Sequence, residues 1–526
     1  MKDKHQPQKS VLLTVLLAGF LLLAILLTVT KPPVFAHSAS VEERIENSQA
    51  WLPTIPDVDW FQQSNNDAPA KYIIVMIADG WGANHIAATN DYTNKTPPYQ
   101  TWPRYWVSTY PAGGNYQPQS AWSDFAYPLQ NPTDSAAAAT ALFTGIKTQN
   151  GRIAVNTNAS ARLFSLSQKA QALNKATGAV TTVYLSHATP GAWMSHNASR
   201  NNGFAIADEG LWGNPNSTGT IVEDGRYGGS FGSSNPQHVV IGAGHPNWQG
   251  SSYVNSAIRD KLANESGQTG KFLFVERLAG NADGGDRLLN AANLPATTRL
   301  AALFGGTGGN LEYRLADGSG HNPENPTLAQ MTTAALTVLN RSPNGFVLMV
   351  EGGAVDWASH NNQMDRMIGE LIGFNEAVQT VIAWVDEPTN GSSWDNTLLI
   401  VTGDHETGYL TAAPNTFANQ PLGAVNPTTL ALEKVVASTG RRASWQDTNA
   451  NNEIDDGEQV YWVWNSGGHS NSLIPLFARG VGAAQLAHFA TAYDPVRGAY
   501  LDNTAVFHLI DGVISYKTFL PLATKR

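Results

Sequence analysis

Ser135 sits beside Asp134 and just ahead of an alanine run, in Asp134-Ser135-Ala136-Ala137-Ala138-Ala139-Thr140-Ala141. A hydroxyl at a helix start is a weak sign taken alone, because serine is also a common helix cap. Four other clusters strengthen it: Asp79-Gly80, Glu351 with Asp356 and His360, Asp404-His405, and His469. Together they supply hard carboxylates, imidazoles and one hydroxyl. That inventory suits several divalent cations arranged around a nucleophile. The chain has no cysteine. Thiolate zinc sites, disulfides and cysteine nucleophiles are therefore excluded, and any zinc must be held by His and Asp or Glu.

These residues need elements to position them. Residues 72–78, YIIVMIA, form a continuous apolar run that reads as a buried parallel strand with Asp79 at its tip. Strands are also expected at 179–185, 237–242, 273–278, 345–350 and 397–402, the last running into Asp404-His405. Helices are expected at 135–143, 163–174, 325–339 and 364–386, and residues 104–130 read as irregular. Asp356 and His360 are four apart, which on a helix puts both on one face. Asp404 and His405 are adjacent and need a loop to point the same way. Strands alternate with helices, and polar residues recur just past strand ends. This predicts an α/β fold, a three-layer α/β/α sandwich with a mostly parallel central sheet and its site outside the carboxyl ends of the strands. Residues 410–460 are rich in Asn, Thr and Pro, and read as an insertion or small subdomain over the site.

The chain has 526 residues, a formal charge of -10, 48 glycines and 28 prolines. No basic tract stands out, which argues against a nucleic-acid backbone binder. Residues 1–10 carry three lysines and one aspartate, and residues 11–30 carry no charge. Lys31-Pro32-Pro33 ends the run, and Val34-Phe35-Ala36 has the small-residue form of a cleavage site. Residues 1–40 thus read as a signal peptide cut after Ala36 or Ser38, or as a membrane anchor, since twenty apolar residues can span a bilayer. Either reading implies export: to the periplasm, to the medium, or to the outer face of the cytoplasmic membrane. The catalytic domain is then expected over 41–526.

Six motifs, in order, carry a resemblance: IADGWG at 77–82, PTDSAAAATALFTG at 132–145, SHATPGAWMSH at 186–196, FVLMVEGGAVDWASH at 346–360, VTGDHETG at 401–408, and SGGHSNSLIPLFARG at 466–480. The chain resembles the bacterial alkaline phosphatases. The resemblance implies hydrolysis of phosphate monoesters through a phosphoserine on Ser135, with Arg200 gripping the phosphoryl group. It implies one zinc held by Asp356, His360 and His469. A second would be held by Asp79, Asp404 and His405. A magnesium would lie between Asp79, Thr189 and Glu351. Asp134, His187 and Trp357 would stand behind these ligands. His187 and Trp357 depart from the best-known bacterial form, which has aspartate and lysine there. The family often forms homodimers. The alternative function is a phosphodiesterase of the same superfamily. A sulfatase is disfavoured, because Ser135 is followed by alanines where that nucleophile motif has proline and arginine.

One motif stands outside this set. Residues 447–458 nearly match a twelve-residue calcium loop. Asp447, Asn449, Asn451, Glu453, Asp455 and Glu458 fall at ligand positions, and Asn452 stands where that loop wants glycine. The bland alternative is an acidic, solvated hairpin tip. His85, His196, His238, His245 and His37 match no family role; His196 lies near the magnesium motif.

Overall fold

The computed structural model describes residues 69–213, 222–223 and 236–515. The segments expected to serve export, residues 1–40, lie outside these. Among the described residues no helix is long and apolar enough to cross a membrane.

The fold is built on one eleven-stranded sheet. In chain order its strands are β1 (Tyr72–Ala78), β2 (Arg104–Ser108), β3 (Ala176–Tyr184), β4 (Val239–Ala243), β5 (Leu273–Glu276) and β6 (Leu300–Leu303). There follow β7 (Phe346–Gly352), β8 (Thr397–Thr402), β9 (Ile474–Gly480), β10 (Ala492–Asp494) and β11 (Gly498–Asp502). Their order across the sheet is β10-β11-β2-β9-β8-β1-β7-β3-β4-β6-β5. From β8 through β5 every pairing is parallel. β9 runs against both neighbours, and β10 against β11. The mostly parallel sheet matches the expectation.

Every residue of β1, β7 and β8 is buried. That is the physical meaning of their unbroken apolar runs: a strand covered on both faces has no polar side to show. Two helical groups provide the cover. One contains Gly284–Asn293, Leu328–Leu339 and Met364–Asp386; the other contains Ser135–Thr144, Leu166–Ala172, Ala188–Met194 and Thr504–Val513. Among these and the short helix after β7, four are labelled α1 (Ser135–Thr144), α2 (Ala188–Met194), α3 (Ala354–His360) and α4 (Met364–Asp386).

One detail differs from the sequence reading. Arg104–Ser108, expected to be irregular, is strand β2, held between β9 and β11. Its partners lie far away in the chain, so nothing local marks it as a strand. Within the region expected to be an insertion, Leu410–Thr411, Glu433–Val435, Arg442–Trp445 and Val460–Trp464 make a four-stranded antiparallel sheet. It leaves the main fold just after Thr407 and returns just before His469.

Candidate metal centre and nucleophile

The register of the three central strands aligns the site. Ile77 at the end of β1 pairs with Glu351 on β7 and with Thr402 on β8. Asp79, Glu351 and Asp404 therefore emerge side by side at the carboxyl edge, each completely buried. Gly80 turns the chain there with φ +77°, and a Cβ would come within 2.8 Å of Asp356. Only glycine combines that backbone angle with so close an approach.

Three sets of side chains gather ligand atoms within 4.8 Å of one another: Asp356 with His360 and His469, Asp79 with Asp404 and His405, and Asp79 with His187 and Glu351. In the first, His360 Nε2 lies 3.4 Å from Asp356 Oδ2, His469 Nε2 lies 3.7 Å from Asp356 Oδ1, and the two Nε2 atoms are 3.1 Å apart. In the second, His405 Nε2 lies 3.2 Å from Asp404 Oδ2 and 3.7 Å from Asp79 Oδ1. Ligands about 2.0 Å from a tetrahedral zinc are about 3.3 Å apart. Both sets have that edge length.

The ring nitrogens are assigned by their other bonds. His360 Nδ1 faces the Gly467 carbonyl at 2.7 Å, and His469 Nδ1 faces the Thr133 carbonyl at 2.7 Å. Each Nδ1 must donate, so each Nε2 keeps a lone pair for a cation. His469 reaches the site because the two-residue strand His469–Ser470 pairs with Glu406–Thr407.

Electrostatics make the same demand. Both Asp79 oxygens, Asp404 Oδ2 and Glu351 Oε1 are buried with no hydrogen-bond partner. Burial, and then the Asp404 and Asp356 carboxylates, push the Asp79 carboxyl well up. Burial raises Glu351 to about 8 and Asp404 to about 7. Burial also opposes ionisation of Asp356, but His360 and His469 hold it below the ordinary carboxylate range. So many carboxylates without counter-charge cost too much to ionise unless cations arrive. The donor set fits divalent metals, and Asp79 belongs to two of the three sets.

Ser135 is the first residue of α1 and is 1% exposed. Its Oγ lies 3.2 Å from His405 Nε2. The helix cap is Asp134, whose Oδ1 accepts from the Ala137 N–H at 2.9 Å. The serine is thereby free of capping duty. Asp134 Oδ2 accepts from Gly151 N at 2.8 Å and from Arg200 Nη1 at 3.0 Å. One carboxylate thus fixes both the helix start and the guanidinium.

His187 has two readings in this geometry. It belongs to the set with Asp79 and Glu351, yet Arg200 Nη2 donates to its Nε2 at 3.1 Å. An imidazole that accepts there carries its proton on Nδ1. While that bond stands neither nitrogen has a free lone pair, which leaves Asp79 and Glu351 as the donors of the set. Burial, and then Arg200, lower the His187 imidazole to about 3, so it is neutral. Thr189 is fully buried, and its Oγ1 has no hydrogen-bond partner among the described residues.

Two hydroxyls escaped the sequence reading. Thr407 Oγ1 donates to Asp356 Oδ1 at 2.6 Å and lies 3.3 Å from His405 Nδ1, touching two ligand sets at once. Thr181, beside Glu351 on the sheet, donates to Glu351 Oε2. His196 bonds Glu209 and the Leu163 carbonyl, neither of them in a metal-capable set.

The 447–458 loop has part of what a calcium site needs. Asn452 has φ 59°, the left-handed conformation its position requires. Yet Lys434 Nζ pairs with Asp447 at 2.7 Å, and Trp445 Nε1 donates to the Glu453 carbonyl at 3.0 Å. Asp447, Asp455 and Glu458 form no metal-capable set among the described residues.

Residues 70–514 match the sequence model of the family described as alkaline phosphatase. The chain belongs to the alkaline phosphatase family. Alkaline phosphatase 4 of Bacillus subtilis (strain 168) is 28% identical over 433 residues, covering 79% of this chain and 80% of that protein. The alkaline phosphatase of Escherichia fergusonii is 31% identical over 388 residues, covering 69% and 75%. The solved structure of alkaline phosphatase from the Antarctic bacterium TAB5 superposes with a TM-score of 0.55 at 23% identity, over 85% of this chain and 99% of that one. The chain is a phosphatase, and its family implies bound metal ions.

Proposed function

We propose that this phosphatase hydrolyses phosphate monoesters in two steps through a phosphoserine on Ser135. The observation that carries the reading is Ser135 Oγ, buried and 3.2 Å from His405 Nε2 inside a metal-capable set. Asp356, His360 and His469 would hold one zinc; Asp79, Asp404 and His405 the other; Asp79, Thr189 and Glu351 a magnesium. When bound, such cations ease ionisation of oxygen nucleophiles and offset charge on the phosphoryl group.

The chain's own residues then act as follows. Ser135 gives up its proton to solvent as Oγ attacks phosphorus, the ester P–O bond breaks, and the leaving alkoxide takes up a proton from solvent and departs as the alcohol. Water attacks the phosphoserine, the P–Oγ bond breaks, and inorganic phosphate leaves. The guanidinium of Arg200, braced by Asp134, offers paired donors to two phosphoryl oxygens. The start of α1 adds the positive end of a helix dipole. A monoester has more free anionic oxygens than a diester for these groups to hold, which favours the monoester. The test is turnover of a chromogenic monoester against the matched diester at alkaline pH, with and without chelator. Monoester turnover is expected to exceed diester turnover by at least about 100-fold, the effect of roughly 3 kcal/mol in the transition state. Faster diester turnover would replace this reading with a phosphodiesterase.

A calcium ion at 447–458 is part of the same proposal, supported by the left-handed Asn452. Binding there would require Asp447 to release Lys434. Calcium is expected to raise the melting temperature more than it raises turnover. Replacing Asp447 and Glu458 together with alanine is expected to erase that response. An unchanged calcium response in the double variant makes the segment an acidic hairpin tip and nothing more.

A further inference from the structure

Next to the metal-capable sets stands a closed circuit of four aromatic rings that the reaction itself does not use. Trp357 follows Asp356 on α3, and its ring centroid lies 5.7 Å from that of His187. His187 lies 6.3 Å from Tyr253, and Tyr253 stacks on Tyr184 at 3.8 Å with an interplanar angle of 11°. Tyr184 closes the circuit 5.3 Å from Trp357. His187 is buried, whereas Trp357, Tyr184 and Tyr253 are each half-buried.

A single exposed aromatic residue needs no explanation. These three converge on the histidine that bonds Arg200 at 3.1 Å, so the wall begins one residue from the group proposed to hold the phosphoryl oxygens. It is also held firmly. The Tyr184 hydroxyl lies where a Cβ on Gly309 would stand, and Tyr253 packs on Gly203, where a Cβ would meet its Cα at 2.9 Å. Ser186 Oγ donates to the Tyr253 carbonyl at 3.1 Å. Rigid aromatic rings lose little conformational freedom when a ligand covers them.

We propose that Trp357, Tyr184 and Tyr253 form a stacking subsite for a flat aromatic ring on the alcohol side of the ester. The enzyme would then select aromatic monoesters over aliphatic ones of equal size. This rests on the monoesterase reading above. Aromatic faces stack on other π systems in offset or edge-on arrangements, which a puckered ring cannot reproduce. A quaternary ammonium could also sit against such rings. The Arg200 guanidinium beside His187 repels a second cation, so a neutral ring is the better occupant.

The test compares benzyl phosphate with cyclohexylmethyl phosphate. Both carry a CH2–O ester linkage and a six-membered ring, and they differ in flatness. Benzyl phosphate is expected to have the higher kcat/KM by about 3-fold to 10-fold. Benzylphosphonate is expected to inhibit more tightly than cyclohexylmethylphosphonate by a similar factor, a readout in which no bond breaks. Trp357→Leu and Tyr253→Leu should bring both ratios close to one. Tyr253→Phe, which keeps the ring, should retain them and separates loss of stacking from a damaged fold. Adenosine 5′-monophosphate against ribose 5-phosphate shows whether a ring beyond a sugar also reaches the wall, and a preference there supports the proposal for nucleotides as well. Equal turnover of the benzyl and cyclohexylmethyl esters overturns the subsite and leaves the monoesterase reading intact. Preference for phosphocholine over both esters overturns it in favour of a cation site. Turnover of neither ester overturns the monoesterase reading and the subsite with it.

Discussion

Replacing Ser135 by alanine is expected to eliminate covalent phosphoenzyme and lower kcat by about a thousandfold or more, while metal content stays unchanged. The side chain is buried, and its Oγ faces His405 Nε2 at 3.2 Å. Alanine removes that oxygen and leaves every carboxylate and imidazole of the three sets in place. Alanine also suits the first turn of α1, because the cap is Asp134 and not the serine. Activity need not vanish, since water could attack phosphorus directly while Arg200 still holds the ester. The check is an acid quench of a radiolabelled monoester during turnover, with metal content measured in parallel. If the variant still carries acid-stable phosphate, the nucleophile lies elsewhere in the chain. If metal content collapses, Ser135 is a ligand whose loss dismantles the centre.

The parts of the fold that were legible in the sequence share one physical property. β1, β7 and β8 are covered on both faces, so their sequences are unbroken apolar runs, and the first polar residue after each run marks the carboxyl edge. Asp79 and Asp404 were readable for that reason, and Glu351 because it ends such a run. The i, i+4 spacing of Asp356 and His360 was readable because α3 is a helix. By contrast β2 is short and partly exposed, and its partners are β9 and β11, several hundred residues onward. Such a strand is defined by its partners and not by its own pattern.

The site was legible to a different depth. Which residues could bind metal followed from their types, but which set each joined needed distances. Thr407 lies inside a motif already singled out, yet a threonine in VTGDHETG carries no sign that its hydroxyl reaches Asp356 on helix α3. The same holds for Thr181 and Glu351. The cap of α1 shows the limit of local reading. Asp134 and Ser135 are both good cap residues, and only the bond from the Ala137 N–H decides between them. His187 shows the opposite problem: proximity groups it with Asp79 and Glu351, and its bond from Arg200 then removes it as a donor.

Stripping the metals is expected to abolish activity and also to destabilise the chain, by an amount that grows as pH rises from 6.5 to 9. Without cations, burial raises Asp404 to about 7 and Glu351 to about 8, and raises Asp79 well above its ordinary range. A carboxyl raised in this way binds its proton more tightly in the folded chain than in the unfolded one. Its contribution favours folding at low pH and is lost as pH climbs through the folded value. Each unit of such a rise corresponds to about 1.4 kcal/mol. The imidazoles act in the opposite sense: burial lowers His405 and His469, and their effect is confined to pH below about 6.5. Above that pH the ligating carboxylates decide the slope of the difference between the two forms, because the lowered Lys175 amine is common to both. Other buried carboxyls with raised values, such as Glu370 and Glu433, are present with and without metal and cancel in the difference. In the loaded protein the ligating carboxylates are ionised throughout and add no slope of their own, so the pH dependence that the two forms share drops out of the gap between them. The measurement is calorimetric melting of chelated and metal-loaded protein at pH 6.5 and pH 9, with readdition of zinc and magnesium to restore activity. The gap in melting temperature should widen by several degrees at the higher pH. Fewer than two zinc ions per active chain would contradict the two-zinc assignment. A gap that stays constant with pH would mean that the Asp79, Asp404 and Glu351 carboxylates already have their charge compensated by the protein, and that cations are not what the buried cluster is built to receive.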